Sequence, residues 1–175
     1  MTATHRARPD ASEYAPFYHG YITSVPDGDV VELLRSGGAE LHKALGRIPE
    51  ERGGHRYAPE KWTIREVIGH LIDAERIFGY RALRFARGDQ TPVPGFDENV
   101  YVTTAGSDAR TISSLVDELA VVRESSALLF ESLPAEAWLR TGIANGQPIS
   151  VRALAYVTAG HPRHHLRILR ERYAI

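Results

Sequence analysis

Four long stretches of this 175-residue chain place apolar residues at every third or fourth position, and that repeat restricts the fold to packed helices. In the first, Leu34, Leu41, Leu45 and Ile48 follow Asp27 or Asp29, either of which can cap a helix beginning near Val30. Gly37-Gly38 is a weak point within it, and Pro49 with Arg52-Gly53-Gly54 ends it. The second opens with Thr63 and Glu66, the Thr-x-x-Glu of a capping box. Ile64, Val67, Ile68, Leu71, Ile72, Phe78, Ala82 and Phe85 then form a broad apolar stripe out to Arg87-Gly88. The third runs from about Thr111 to Ser132, with Leu115, Leu119, Val122, Leu129 and Phe130 inward, and the fourth from about Ser150 to Tyr173. Residues 134–140 read as an extra helical turn and Asn145-Gly146 as a turn, and no stretch reads as a strand. The expected class is all-α, a four-helix bundle.

An apolar content of 43% and a charged content of 25% are ordinary for one globular domain of this length, expected over residues 11–175. Residues 1–10 lack the apolar centre of a signal peptide and are expected to form a disordered tail. Tyr14, Phe17, Tyr18 and Tyr21 argue that the next segment packs on the domain. Residues 89–110, with Pro92, Pro94, Gly95 and Gly106, form a long connection between the second and third helices. Long connections in compact domains are often functional, and Asp97, Glu98 and Tyr101 are candidates for the mouth of a site. A net charge of −1 gives no footprint for nucleic acid or an anionic membrane. Arg163, Arg167, Arg170 and Arg172 read instead as the outer face of a helix. There is no cysteine, which removes disulfides, thiolate metal sites and a cysteine nucleophile, and fits a cytoplasmic location. No apolar run approaches the ~20 residues that span a bilayer.

The chemistry concentrates in Gly160-His161-Pro162-Arg163-His164-His165. His161 and His165 are four apart, so on a helix they share one face and can grip one transition metal. Taking about 100° per residue, both fall within the apolar arc that holds Leu154, Thr158 and Leu169, while His164 falls at its edge. The pair therefore points inward, where an imidazole needs a hydrogen-bond partner or a metal. His70, on the flank of the second helix's stripe, is the best-placed third ligand. Three histidines leave a coordination position open, as in catalytic zinc sites. Nitrogen-only ligation suits zinc, nickel, copper or iron(II), so the metal expected is zinc or nickel first, with iron or manganese after them. Glu66 and Asp73, one turn either side of His70, are the candidate acid–base residues. Their alternatives are a helix cap for Glu66 and a solvated or salt-bridged position for Asp73. Glu75 falls within the apolar stripe and needs an arginine partner, with Arg81 as one candidate. Pro162 should kink or interrupt the last helix.

The run from Tyr57 to Arg76, containing Trp62-Thr63-Ile64-Arg65-Glu66 and Gly69-His70-Leu71, resembles the DinB/YfiT-like superfamily. Tyr80-Arg81-Ala82-Leu83, Pro94-Gly95-Phe96-Asp97, the late His-x-x-His-His and the aromatic N-terminal arm carry the same resemblance, which runs from about Glu13 to Tyr173. It implies an up-up-down-down bundle holding one divalent metal on His70, His161 and His165, with His164 an additional histidine that does not bind. It implies a homodimer and a small-molecule substrate. It also implies either hydrolysis or transfer of a low-molecular-weight thiol such as bacillithiol or mycothiol. A non-catalytic, metal-stapled binding or scaffold protein is the alternative.

Overall fold

The computed structural model describes residues 4–175. Its helices are α1 (His19–Ser24), α2 (Val30–Leu45), α3 (Ile64–Ala86), α4 (Glu98–Thr104), α5 (Ile112–Glu131) and α6 (Val151–Tyr173). The four long ones begin where the sequence places them, each at a side-chain cap, of which Asp29 and Thr63 are the two expected as caps. Asp29 accepts from the backbone of Val31 at 2.8 Å, Thr63 from Glu66 at 3.0 Å, Thr111 from Ser114 at 3.1 Å and Ser150 from Ala153 at 3.0 Å. At α3 the capping box closes, because the Glu66 carboxylate accepts from the Thr63 amide at 2.7 Å.

The bundle runs up-down-down-up, a correction to the expected up-up-down-down order. Arg35 and His42 of α2 meet Glu131 and Asp117 of α5 in reverse order, so that pair is antiparallel. Thr63 and Arg76 of α3 meet Asp108 and Glu118 in the same order, so α3 and α5 run parallel. The Tyr173 hydroxyl reaches the Trp62 carbonyl and Arg140 the Ala86 carbonyl, which sets α3 against α6 head to tail. Parallel neighbours need a connection that returns the length of the bundle. Residues 87–111 make that return, and they contain α4 where only a loop was expected.

Two strands, β1 (Thr141–Ala144) and β2 (Gln147–Ser150), pair antiparallel ahead of α6 where none was expected. Asn145 (φ 51°) and Gly146 (φ 72°) give the two positive φ angles of a tight hairpin turn. Val93 adds a parallel bridge to this hairpin.

The expected tail also needs correcting. Residues 1–3 lie outside the described residues, but the following ones are docked. Arg8 donates to the Ile22 and Val25 carbonyls at 2.5 and 2.7 Å, and Pro9 is buried. Glu13 accepts from Ser150 Oγ and Arg152 Nε, both at 2.7 Å, which ties the arm to the start of α6. As expected from its aromatic residues, the arm packs on the domain, and α1 lies along α6.

The core is split by a polar layer. One apolar cluster holds Ile22, Leu34, Phe85, Phe130, Trp138 and Tyr156, and the other holds Leu45, Ile68, Leu71, Leu115 and Leu169. Between them, at mid-height, sit His70, Glu75, Arg123, Thr158 and His161, all buried. Glu75 takes Arg123 as its partner, with Arg123 Nη2 2.8 Å away, and not Arg81. The expectation failed because the counter-charge comes from a different helix. Gly38 makes room for it, since a Cβ there would lie 2.7 Å from Arg123 Cγ.

Pro162 does not interrupt α6, which is continuous from Val151 to Tyr173. Without an N–H, Pro162 frees the Thr158 carbonyl one turn back. Arg123 Nη1 donates to that carbonyl at 3.1 Å and takes the place of the missing donor.

Candidate metal centre

The apolar periodicity of α3 and α6 turns His70 and His161 inward, where they are 7% and 5% exposed. His165, one turn beyond His161, is half-buried. His161 Nε2 lies 3.1 Å from His70 Nε2 and 3.1 Å from His165 Nε2. The three donor atoms all lie within 4.8 Å of one another. A zinc ion with bonds of about 2.0–2.1 Å places tetrahedral ligand nitrogens about 3.3 Å apart, close to the two separations that His161 makes.

Burial pushes the His70 pKa down to about 4 and, with His70 and His164 nearby, that of His165 to about 3. Burial also lowers that of His161 well below the ordinary value, helped by its two neighbours. All three rings are therefore neutral at pH 7, each with one bare nitrogen. In the tautomer that leaves Nε2 bare on each ring, three lone pairs aimed at one point repel one another unless a cation stands between them. An all-nitrogen, neutral donor set of this kind suits a divalent transition metal.

His164 stands beside the cluster but outside it, with its ring edge-on to Tyr21. Tyr21 also packs edge-on against His161, with centroids 5.3 Å apart. This contact depends on Gly160, because a Cβ there would lie 2.0 Å from the Tyr21 carbonyl oxygen. On the other side Trp62 covers His70, at a centroid distance of 4.8 Å.

The rings open into a chamber of about 250 Å³ whose wall includes Tyr21, Trp62, Phe78, Arg81, Phe96 and Glu98. Of the sequence candidates for its mouth, Glu98 is on the wall. Asp97 caps α4 through the amides of Asn99 and Val100, and Tyr101 packs at a tilt against Phe96 and faces a different groove. Glu66 is engaged in the α3 capping box. Asp73 lines that other groove with Arg76 and Arg110, and burial raises its pKa. Neither lines the chamber. Tyr21, Arg81 and Asn145, which do, were not recognised as site residues in the sequence. The available signals were the aromatic density of the arm for Tyr21 and the Tyr80-Arg81-Ala82-Leu83 motif for Arg81.

Among the described residues no helix is long and apolar enough to cross a membrane.

Residues 33–169 match the sequence model of the DinB superfamily. A protein from Bacillus licheniformis, whose name assigns it provisionally to the metal-dependent hydrolases, is 29% identical over 142 residues, covering 77% of this chain and 73% of that protein. The structure of YfiT from Bacillus subtilis, described as a probable metal-dependent hydrolase with an unusual four-helix bundle topology, matches with a TM-score of 0.72 at 19% identity. That match covers 83% of this chain and 86% of YfiT and establishes the bundle fold.

Proposed function

This chain belongs to the DinB superfamily, and from that membership and the three converging histidines we propose that it is a metal-dependent hydrolase of small molecules. The observation that carries the reading is the meeting of three neutral imidazole nitrogens at one end of an aromatic-walled chamber. His70 from α3 and His161 and His165 from α6 would hold a divalent ion, zinc or nickel before iron or manganese. Bound there, the ion would supply Lewis acidity and activate water near neutral pH. The names given to the two Bacillus proteins support the same class of chemistry.

The chain's own groups orient and move protons. Tyr21, whose pKa is raised first by burial and then by Glu98, keeps its hydroxyl proton at pH 7 and presents a donor at the wall. Glu98 is the carboxylate on that wall, so the acid–base role passes to it from Glu66 and Asp73. The aromatic side chains exclude bulk water, which strengthens each polar contact inside.

Elemental analysis with a panel of small esters and amides tests this. About one metal per chain, lost together with hydrolysis in His70→Ala and His161→Ala, is the expected result. Hydrolysis that survives both chelation and His161→Ala overturns the reading.

A further inference from the structure

Two arginines are fully buried among the described residues, and only one has a counter-charge. Arg123 has Glu75 at 2.8 Å. Arg81, 2% exposed, makes one hydrogen bond, from Nη2 to the Pro94 carbonyl at 3.1 Å, and its Nε is sealed from solvent with no partner. A guanidinium withdrawn from water without an anion is costly, and folds retain such groups where a ligand supplies the anion.

Arg81 lines the histidine chamber. Eleven residues separate it from His70, which at about 100° per residue returns it to within about 20° of the same helix face. Ala74, between the two, contributes only a methyl group to the wall and leaves the space open. Long helical side chains lean toward the N-terminal end, which for Arg81 is the end of α3 that carries His70. Its support is rigid. Pro94 follows Val93, whose amide donates to the Ile143 carbonyl at 2.9 Å and whose carbonyl accepts from Asn145 at 3.0 Å. Glu98 is exposed at the rim and makes no ion pair with Arg81.

We propose that Arg81 anchors a carboxylate on the small molecule that fills the chamber, holding that molecule's reactive group at the three histidines. This rests on the chamber being the substrate site. A guanidinium offers paired N–H donors that match the two oxygens of a carboxylate. Phe17, Tyr18, Trp62 and Phe96 provide apolar wall for the rest of the ligand, and the chamber's volume limits it to a small one.

The probes are 4-phenylbutyrate and its neutral amide, titrated into metal-free protein by calorimetry and by the fluorescence of Trp62. The carboxylate is expected to bind at least about tenfold tighter than the amide. Arg81→Met should remove that preference. Arg81→Lys, which keeps the charge but loses the fork, should reduce it and carries the test if the methionine variant does not fold. Equal affinity for the two probes, no binding of either, or a preference retained in Arg81→Met overturns the proposal. Cobalt(II) titration of the same samples separates the two ideas. Carboxylate preference without cobalt binding removes the metal reading and leaves the anchor, and cobalt binding without the preference removes the anchor alone.

Discussion

His161 stands at the centre of the cluster, with its Nε2 equally close to both other rings, so its loss should cost more metal affinity than the loss of either neighbour. Each of the three rings binds a proton more weakly in the folded protein than in the unfolded chain. Their contribution to the stability of the metal-free protein is therefore complete above pH 6.5. It is lost as the pH falls toward about 4 for His70 and about 3 for His165, by up to about 1.4 kcal/mol per pH unit and ring. Urea midpoints of metal-free protein should fall steeply across that window, and less steeply when His70 and His165 are both glutamine. Arg123→Met should destabilise by about 3–5 kcal/mol, because it strands both the Glu75 carboxylate and the Thr158 carbonyl. A four-residue spacing on an apolar arc was enough to find His161 and His165 in the sequence. The partner of Glu75 was not legible, because nothing local to α3 indicates which helix supplies it.

At the level of elements, α6 depends on a side chain from α5 to pass through a proline. Pro162→Ala should recover about 1 kcal/mol in an Arg123→Met background by restoring a backbone donor to Thr158, and less in the wild-type background. A double-mutant cycle by urea denaturation measures the difference. Gly160→Ala should push α1 away from α6, since the new methyl meets backbone that cannot rotate aside. A loss of about 1–3 kcal/mol is expected, read as a lower thermal midpoint, with weaker metal binding as Tyr21 moves from His161. Helix ends were legible because caps are local chemistry: Asp29, Thr63, Thr111 and Ser150 each bond within three residues. The hairpin was not. Its strands are four residues long and one contains Pro148, so no alternation stands out, and only Asn145-Gly146 marked the turn.

For the whole molecule, a metal held by His70, His161 and His165 would tie α3 to α6 across the polar layer between the two apolar clusters. Free metal at one hundred times its dissociation constant should add about 2.7 kcal/mol to stability, and so raise the melting temperature by about 5–10 °C. Scanning calorimetry with and without chelator checks this, and His161→Ala should show no such rise. The bundle class was legible from periodicity. The direction of each helix was not, because the same apolar stripes serve a parallel or an antiparallel neighbour, and only the return through residues 87–111 decides between them. The order of the elements also bears on how the protein is made. Tyr21 and Ile22 pack on a helix that the ribosome produces about 140 residues later, an interval of roughly 7–28 s at about 5–20 residues per second. Until α6 emerges, the arm has no surface to dock on and His70 has no companions. The nascent chain must carry an aromatic segment and half a bundle exposed, and the three histidines come together only as the last helix closes.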